Sequence, residues 1–227
     1  MNEIIEFLRE LSRHNNREWF SAHKAEYLSA KARFEALVES LIPGVREFDP
    51  TIGPLTPADC TWRIYRDTRF SNDKRPYKTH MGAYFAPRGK KGPFSGYYFQ
   101  VAVNDDDCEA QGMIAAGNYF TEPPVLKILR EDIDLDEAKS FSKAIAGAKG
   151  FTLDSEQMLK RVPRGFDTTK PYSEYFKYKN FCLIKTVGRE YLTSETFSRQ
   201  LLADFRTTKP FLHLLNRAVA YVLENNK

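Results

Sequence analysis

Residues 62–80 read WRIYRDTRFSNDKRPYKTH, and the side chains of this window are of the types that hold anions. Arg63, Arg66, Arg69, Lys74, Arg75 and Lys78 stand against only Asp67 and Asp73. Six minus two gives a local net charge of +4, equal to that of the whole chain. Guanidinium forks grip phosphate or carboxylate through paired hydrogen bonds, and lysines add point charges. Asp67 and Asp73 have two candidate roles: they orient the guanidinium groups, or one of them serves as a general base. Trp62, Tyr65, Phe70 and Tyr77 interleave with the cations, so this is not a plain solvated charge run.

The charge is local. From Thr61 to Gly92 nine Lys and Arg face two Asp, a net of +7, which leaves −3 for the remainder of a chain that totals +4. A basic patch on a mildly acidic body predicts a discrete anionic ligand, phosphorylated or carboxylated, more than a protein that coats nucleic acid. Nucleic acid is the less favoured partner, although aromatics beside cations suit stacked bases. If residues 63–69 form a continuous strand, alternation puts Arg63, Tyr65, Asp67 and Arg69 on one face. Trp62, Ile64, Arg66 and Phe70 then take the other. The competing reading has Asp67 and Asp73 pair with neighbouring arginines and brace a hairpin. Two acids do not neutralise six bases, but Glu109, Glu131, Asp132 or the Asp105–Asp107 run are further sources of negative charge. Lys160, Arg161 and Arg164 form a second basic group, and Lys177 and Lys179 a third; convergence on the first would build a pocket. Tyr98 and Gln100 are expected to line the same surface.

Other chemistries lack their signatures. His14, His23, His80 and His213 are scattered, and Cys60, Cys108 and Cys182 contain no paired spacing, so no metal site and no disulfide scaffold are predicted. His23 reads as a structural histidine on an apolar helix face. There is no nucleophile elbow, no phosphate-binding P-loop and no dinucleotide fingerprint, and no cofactor is implied. The basic loop Pro87–Gly92 joins two strands and lacks the helix N-terminus that would strengthen it as a phosphate cradle.

The elements that must position the cluster follow from periodicity. Ile4, Ile5, Leu8 and Leu11 recur at helical spacing. Asn15 or Asn16 caps a second helix, whose face runs through Phe20, His23, Tyr27, Ala30, Phe34, Leu37 and Leu41 to a stop at Pro43-Gly44. After a loop over 45–59 the period falls to two. Strands are predicted at 62–66, 78–85, 97–103 and 108–115, joined by short connections that imply antiparallel pairing. Helices follow at 122–133 and 135–146, the second with Asp134 and Glu137 in capping-box register. Short strands are expected at 151–161 and 181–187. Two helices close the chain, the first capped by Thr193 or Ser194 and the second begun by Pro210. The prediction is a single α+β domain over 1–227, a central, mainly antiparallel sheet with helices from the N- and C-terminal segments. No run approaches the roughly 18 apolar residues of a membrane span, and a soluble, cytoplasmic protein is expected.

The stretches NNREWFSAHKAEY (15–27), RIYRDTRFSNDKRPYKTHMGAYF (63–85), GYYFQVAV (96–103) and KRVPRGFD (160–167) resemble the bacterial and fungal family catalogued as domain of unknown function 2461. The resemblance implies no activity, cofactor or catalytic residue. The site expectation therefore rests on the residues alone. Arg63, Arg66, Arg69, Lys74, Tyr77, Lys78, Tyr98, Gln100, Arg161 and Arg164 are the candidate ligand-binding set, and Asp67 and Asp73 the weak catalytic candidates. Anion binding is the first reading. The alternatives are a metal-assisted phosphoester hydrolase or transferase, and a non-catalytic interaction protein with a structural Arg/Asp network.

Overall fold

Helix α1 (Asn2–Arg13) buries Ile4, Ile5, Phe7, Leu8 and Leu11 along one stripe, as the spacing requires. The structure, a computed structural model, describes residues 1–69, 72–104 and 109–225. Asn16 caps α2 (Arg17–Ala22), its side chain accepting the Trp19 N–H at 2.8 Å. His23 then separates α2 from α3 (Lys24–Phe48), which carries Pro43 in its interior.

The predicted stop at Pro43-Gly44 does not occur. Proline removes one helical hydrogen bond, but the turns on both sides bury Leu41, Ile42 and Val45, and that burial outweighs the loss. Gly44 gives the Leu202 side chain room: a Cβ there would lie 2.5 Å from the Leu202 Cδ1 and make that side chain shift. The predicted loop over 45–59 is also shortened, by α4 (Pro57–Cys60), whose Thr56 and Asp59 form a reciprocal capping box.

The sheet has five strands in the order β1-β2-β3-β5-β4: β1 (His80–Phe85), β2 (Gly96–Val103), β3 (Ala110–Asn118), β4 (Thr152–Leu153) and β5 (Phe181–Gly188). It is antiparallel and the fold is α+β; β4 meets β5 in the register Thr152↔Ile184 and Leu153↔Leu183. Residues 62–66, predicted as a strand, make one isolated bridge, Tyr65↔Tyr77, and Thr61 just before them makes another, to Ala83. Between those bridges one segment has three residues (62–64) and the other five (78–82), so no regular ladder can close. The strand predicted at 151–161 shrinks to β4 and one bridge, Met158↔Tyr178. The Asp105–Asp107 turn and Cys108 lie outside the described residues.

Helices α5 (Pro123–Leu135) and α6 (Lys139–Gly147) are joined by Asp136, Glu137 and Ala138, the last two in the left-handed region. The predicted capping box at Asp134 and Glu137 is therefore absent. After α7 (Arg189–Thr193), the chain ends in one long helix, α8 (Phe197–Asn225), in place of two. Pro210 sits inside α8 rather than at a start. In the preceding turn Thr207 and Thr208 donate their hydroxyls to the Asp204 and Phe205 carbonyls, and Phe205, Phe211, Leu212 and Leu215 are buried around the proline.

By packing, the chain forms two compact units that share strands instead of being joined by linkers. The first comprises Met1–Lys91, Tyr98–Ile114 and Thr186–Leu202, and the second Gly92–Tyr97, Ala115–Lys185 and Ala203–Lys227. In the first, Phe99 packs between Phe34 and Phe197, with ring centroids at 5.6 and 5.5 Å. In the second, Phe141 meets Phe181 and Phe211 edge-on, at 5.1 and 5.5 Å. Gly117, at φ +147°, lets β3 approach β5 so closely that a Cβ would lie 2.7 Å from the Cys182 Cα and closer still to the Phe181 carbonyl oxygen. No described helix is long and apolar enough to cross a membrane.

Candidate functional site

The basic window lies wholly in the first unit. Its two limbs are held by the Arg66 N–H to the Pro76 carbonyl and the Lys78 N–H to the Ile64 carbonyl, each at 2.9 Å. The aromatic interleaving anchors them. Tyr77 is buried and stacks on Phe20 at 3.9 Å, while Tyr65 packs on both rings. Lys24 lies 5.0 to 5.7 Å from the centroids of Phe20, Tyr27 and Tyr65, a cation seated over three ring faces.

Asn15 completes the anchorage from the other side of the sequence. Its side-chain amide donates to the Tyr77 carbonyl at 3.0 Å, and its amide oxygen accepts the Tyr77 N–H at 3.1 Å. Replacing it leaves both part-buried backbone groups without that partner, so Asn15→Ala is expected to lower stability by on the order of 1 to 3 kcal/mol in urea unfolding. An unchanged midpoint would show that the clamp carries no weight.

The two acids are committed to the arginines. Asp67 takes the Arg69 Nε and Nη2 at 3.0 and 2.6 Å and its backbone N–H at 3.2 Å. Asp73 does the same for Arg75, with Nη2 at 2.7 Å and N–H at 3.0 Å, and also accepts from Arg66 Nη1. Each acid thereby makes a local turn of the kind Asp favours. The Arg69 side chain and backbone hold the Asp67 carboxyl down to about 2, and the Arg75 contacts, with Arg66, push Asp73 lower still. Carboxylates so depressed are weak bases, which counts against either as a general base. Lys74 donates to the Thr68 carbonyl at 3.0 Å, and Arg63 is exposed.

What the acids leave over faces a depression of about 420 Å³. It is lined by Arg66, Asp67, Asp73, Arg75, Lys78, Thr79 and His80. Lys78 is half-buried, with no acidic partner among the described residues. Burial first, then repulsion from Arg63 and Arg66, pulls its ammonium below the usual lysine value. His80 drops to about 4, chiefly through burial and then through the charges of Lys78 and Arg66. Its imidazole is neutral near pH 7. Three groups that favour an anion thus share one concave space in which positive charge is under-compensated.

A family model described as conserved hypothetical protein (DUF2461) matches residues 3–214. The chain belongs to that family. The match spans the whole basic window of this DUF2461 chain, together with Asn15, Lys24 and the α3 face. Comparison with curated proteins and with solved structures gives no match.

The remaining predicted residues are spread over the DUF2461 chain. Tyr98 and Gln100 stand on β2 in the first unit, the Tyr98 hydroxyl donating to the Gln100 Oε1 at 2.7 Å. Trp62 packs edge-on against Tyr98 at 6.1 Å. Arg161 and Arg164 are exposed residues of the second unit. There Arg164 lines a separate depression of about 580 Å³ with Lys127, Arg130, Glu131, Asp134 and Phe166. Among the described residues no group of three or more His, Cys, Asp or Glu side chains is placed to hold a metal ion. Burial raises the Cys60 and Cys182 thiols to about 12, so neither is a nucleophile at neutral pH. His80 and Asn15 are the site residues that sequence reasoning did not single out.

Proposed function

We propose that this protein binds a phosphorylated or carboxylated ligand in the depression between the two limbs of the basic window. Lys78 carries the reading: a half-buried ammonium beside Arg66 and His80, with no acid assigned to it among the described residues. Burying a cation without a partner costs free energy, and an incoming anion would remove that cost. Arg66 supplies a guanidinium already fixed by Asp73, so little side-chain freedom is lost on binding. Arg69 and Arg75 serve as braces, tied to Asp67 and Asp73. The interaction-protein reading accounts for these two pairs but not for Lys78.

Inorganic phosphate, pyrophosphate and citrate, titrated at low ionic strength, should each raise the thermal midpoint. Lys78→Ala should weaken the response by roughly 10- to 140-fold in affinity, the worth of one charge-assisted hydrogen bond. Arg69→Ala should change it far less. A full response in Lys78→Ala, or no response to any anion in the intact protein, would sink the proposal.

A further inference from the structure

The depression opens beside an aromatic surface that the anion reading leaves unused. Thr61 bridges Ala83, which brings Trp62 alongside Gly82. Trp62 is 47% exposed, although its ring packs against Tyr84 and Tyr98 at 6.3 and 6.1 Å. Gly82 is what permits this surface. A Cβ there would meet the Tyr98 ring at 2.9 Å, so with glycine the outer end of that ring packs directly over β1 and a side chain would displace it. The Tyr98 hydroxyl is turned along the strand to Gln100. One face of the β1–β2 pair thus presents a half-exposed indole and a tyrosine ring, with a side-chain amide close by.

This surface and the cationic depression are neighbours. His80 and Gly82 are two residues apart on β1, hence on the same face and roughly 6.7 Å apart along the strand. That two-residue step along β1 sets the scale of the gap that a ligand would bridge between an anionic group at Arg66, Lys78 and His80 and a flat ring near Trp62. A nucleoside monophosphate fits that scale, with its sugar crossing the gap. The basic charge is concentrated in one window rather than extended in a stripe, which fits a single phosphate-bearing unit better than a polymer.

We infer that the anion is a nucleoside phosphate, its phosphate held by Arg66 and Lys78 and its base stacked on the exposed part of the Trp62 indole. The inference rests on the anion reading above and adds the chemical class of the ligand. Base–aromatic stacking tolerates any base, so purine and pyrimidine nucleotides should both bind.

The test compares inorganic phosphate, ribose 5-phosphate, AMP and CMP by calorimetry, with tryptophan fluorescence as a second signal. AMP and CMP should bind roughly 5- to 140-fold tighter than ribose 5-phosphate, the contribution of one stacked base. Trp62→Ala should erase that margin and leave phosphate affinity unchanged, while Trp62→Phe keeps most of it. Because Trp62 is half-exposed, both variants should retain the wild-type circular dichroism. Equal binding of ribose 5-phosphate and the nucleotides overturns this inference and leaves the anion reading standing. A margin that survives Trp62→Ala also overturns it, as does a short oligothymidylate that binds far more tightly than any mononucleotide. No binding by any of the four compounds removes both readings.

Discussion

Acidification from pH 7 to 4 is expected to cost the folded state on the order of 3 kcal/mol through one side chain, His80. Its folded value falls from 6.5 to about 4 because burial, Lys78 and Arg66 all disfavour the imidazolium. Above 6.5 the ring is neutral in both states, and its contribution is fully present. Between 6.5 and 4 the unfolded chain takes up a proton that the folded chain refuses, so stability falls as the pH falls. Below about 4 the loss is complete. Asp67, held at about 2, and Asp73, lower still, stay ionised in the folded state across this window. Their unfolded counterparts take up protons only as the pH nears their ordinary value of about 3.9, so the upper part of the slope belongs to the histidine and the aspartates steepen it only near pH 4. Urea unfolding at pH 7, 6, 5 and 4 should therefore show the decline, and His80→Gln should flatten most of it. Saturating phosphate should flatten it too, since an anion beside His80 raises the proton affinity of the ring. An imidazole that titrates near 6.5 in the folded protein would refute the account.

Gly117→Ala should be the most damaging single substitution outside the basic window, at about 2 to 6 kcal/mol. Two penalties combine. The backbone at φ +147° is one that L side chains rarely adopt, at a cost of about 1 to 3 kcal/mol. The new methyl would also press on the Phe181 carbonyl oxygen and the Cys182 Cα. Both are backbone atoms, which yield only if β3 and β5 separate, and overpacking of this kind costs about 1 to 3 kcal/mol. Gly53→Ala is the control: nothing lies within 4 Å of its Cβ position, and a change within about 0.5 kcal/mol is expected. A Gly117→Ala variant that unfolds at the wild-type urea midpoint would contradict the packing described for this strand pair.

Strands with a strong apolar pattern were legible. Residues 97–103 and 181–187 were expected as strands and fall within β2 and β5: β2 buries alternate side chains, while β5 opens on a short apolar run, Phe181–Leu183, buried throughout. The first predicted strand was not one. Residues 62–66 have the right alternation, but a mismatch of two residues between its bridges prevents pairing, and no local pattern announces that. Pro43 and Pro210 misled in the same way. Each sits among buried residues, and tertiary burial exceeded the loss of one helical hydrogen bond. In the candidate site, the basic cluster and its two acids could be read from charge alone. Which acid serves which arginine could not, since Asp73 reaches Arg66 from seven positions away. Asn15 read as a possible helix cap, and its clamp on Tyr77 depends on a contact 62 residues distant. His80 is marked only by its place at the start of a strand after Lys78; its low proton affinity comes from burial that the sequence does not display.

The isolated bridges carry a further consequence. β1 is the outermost strand of the sheet, and a bare outer strand offers its N–H and C=O groups to any other extended chain. Residues 61–66 run along that margin and bridge β1 itself only at Thr61↔Ala83, the second bridge, Tyr65↔Tyr77, falling just before the strand, so they are too loosely paired to extend the sheet yet close enough to occupy its edge. The guard is itself cationic, with Arg63 and Arg66 in the short stretch that a second molecule would have to displace. The mismatch that spoils a regular ladder therefore doubles as protection against strand-to-strand polymerisation.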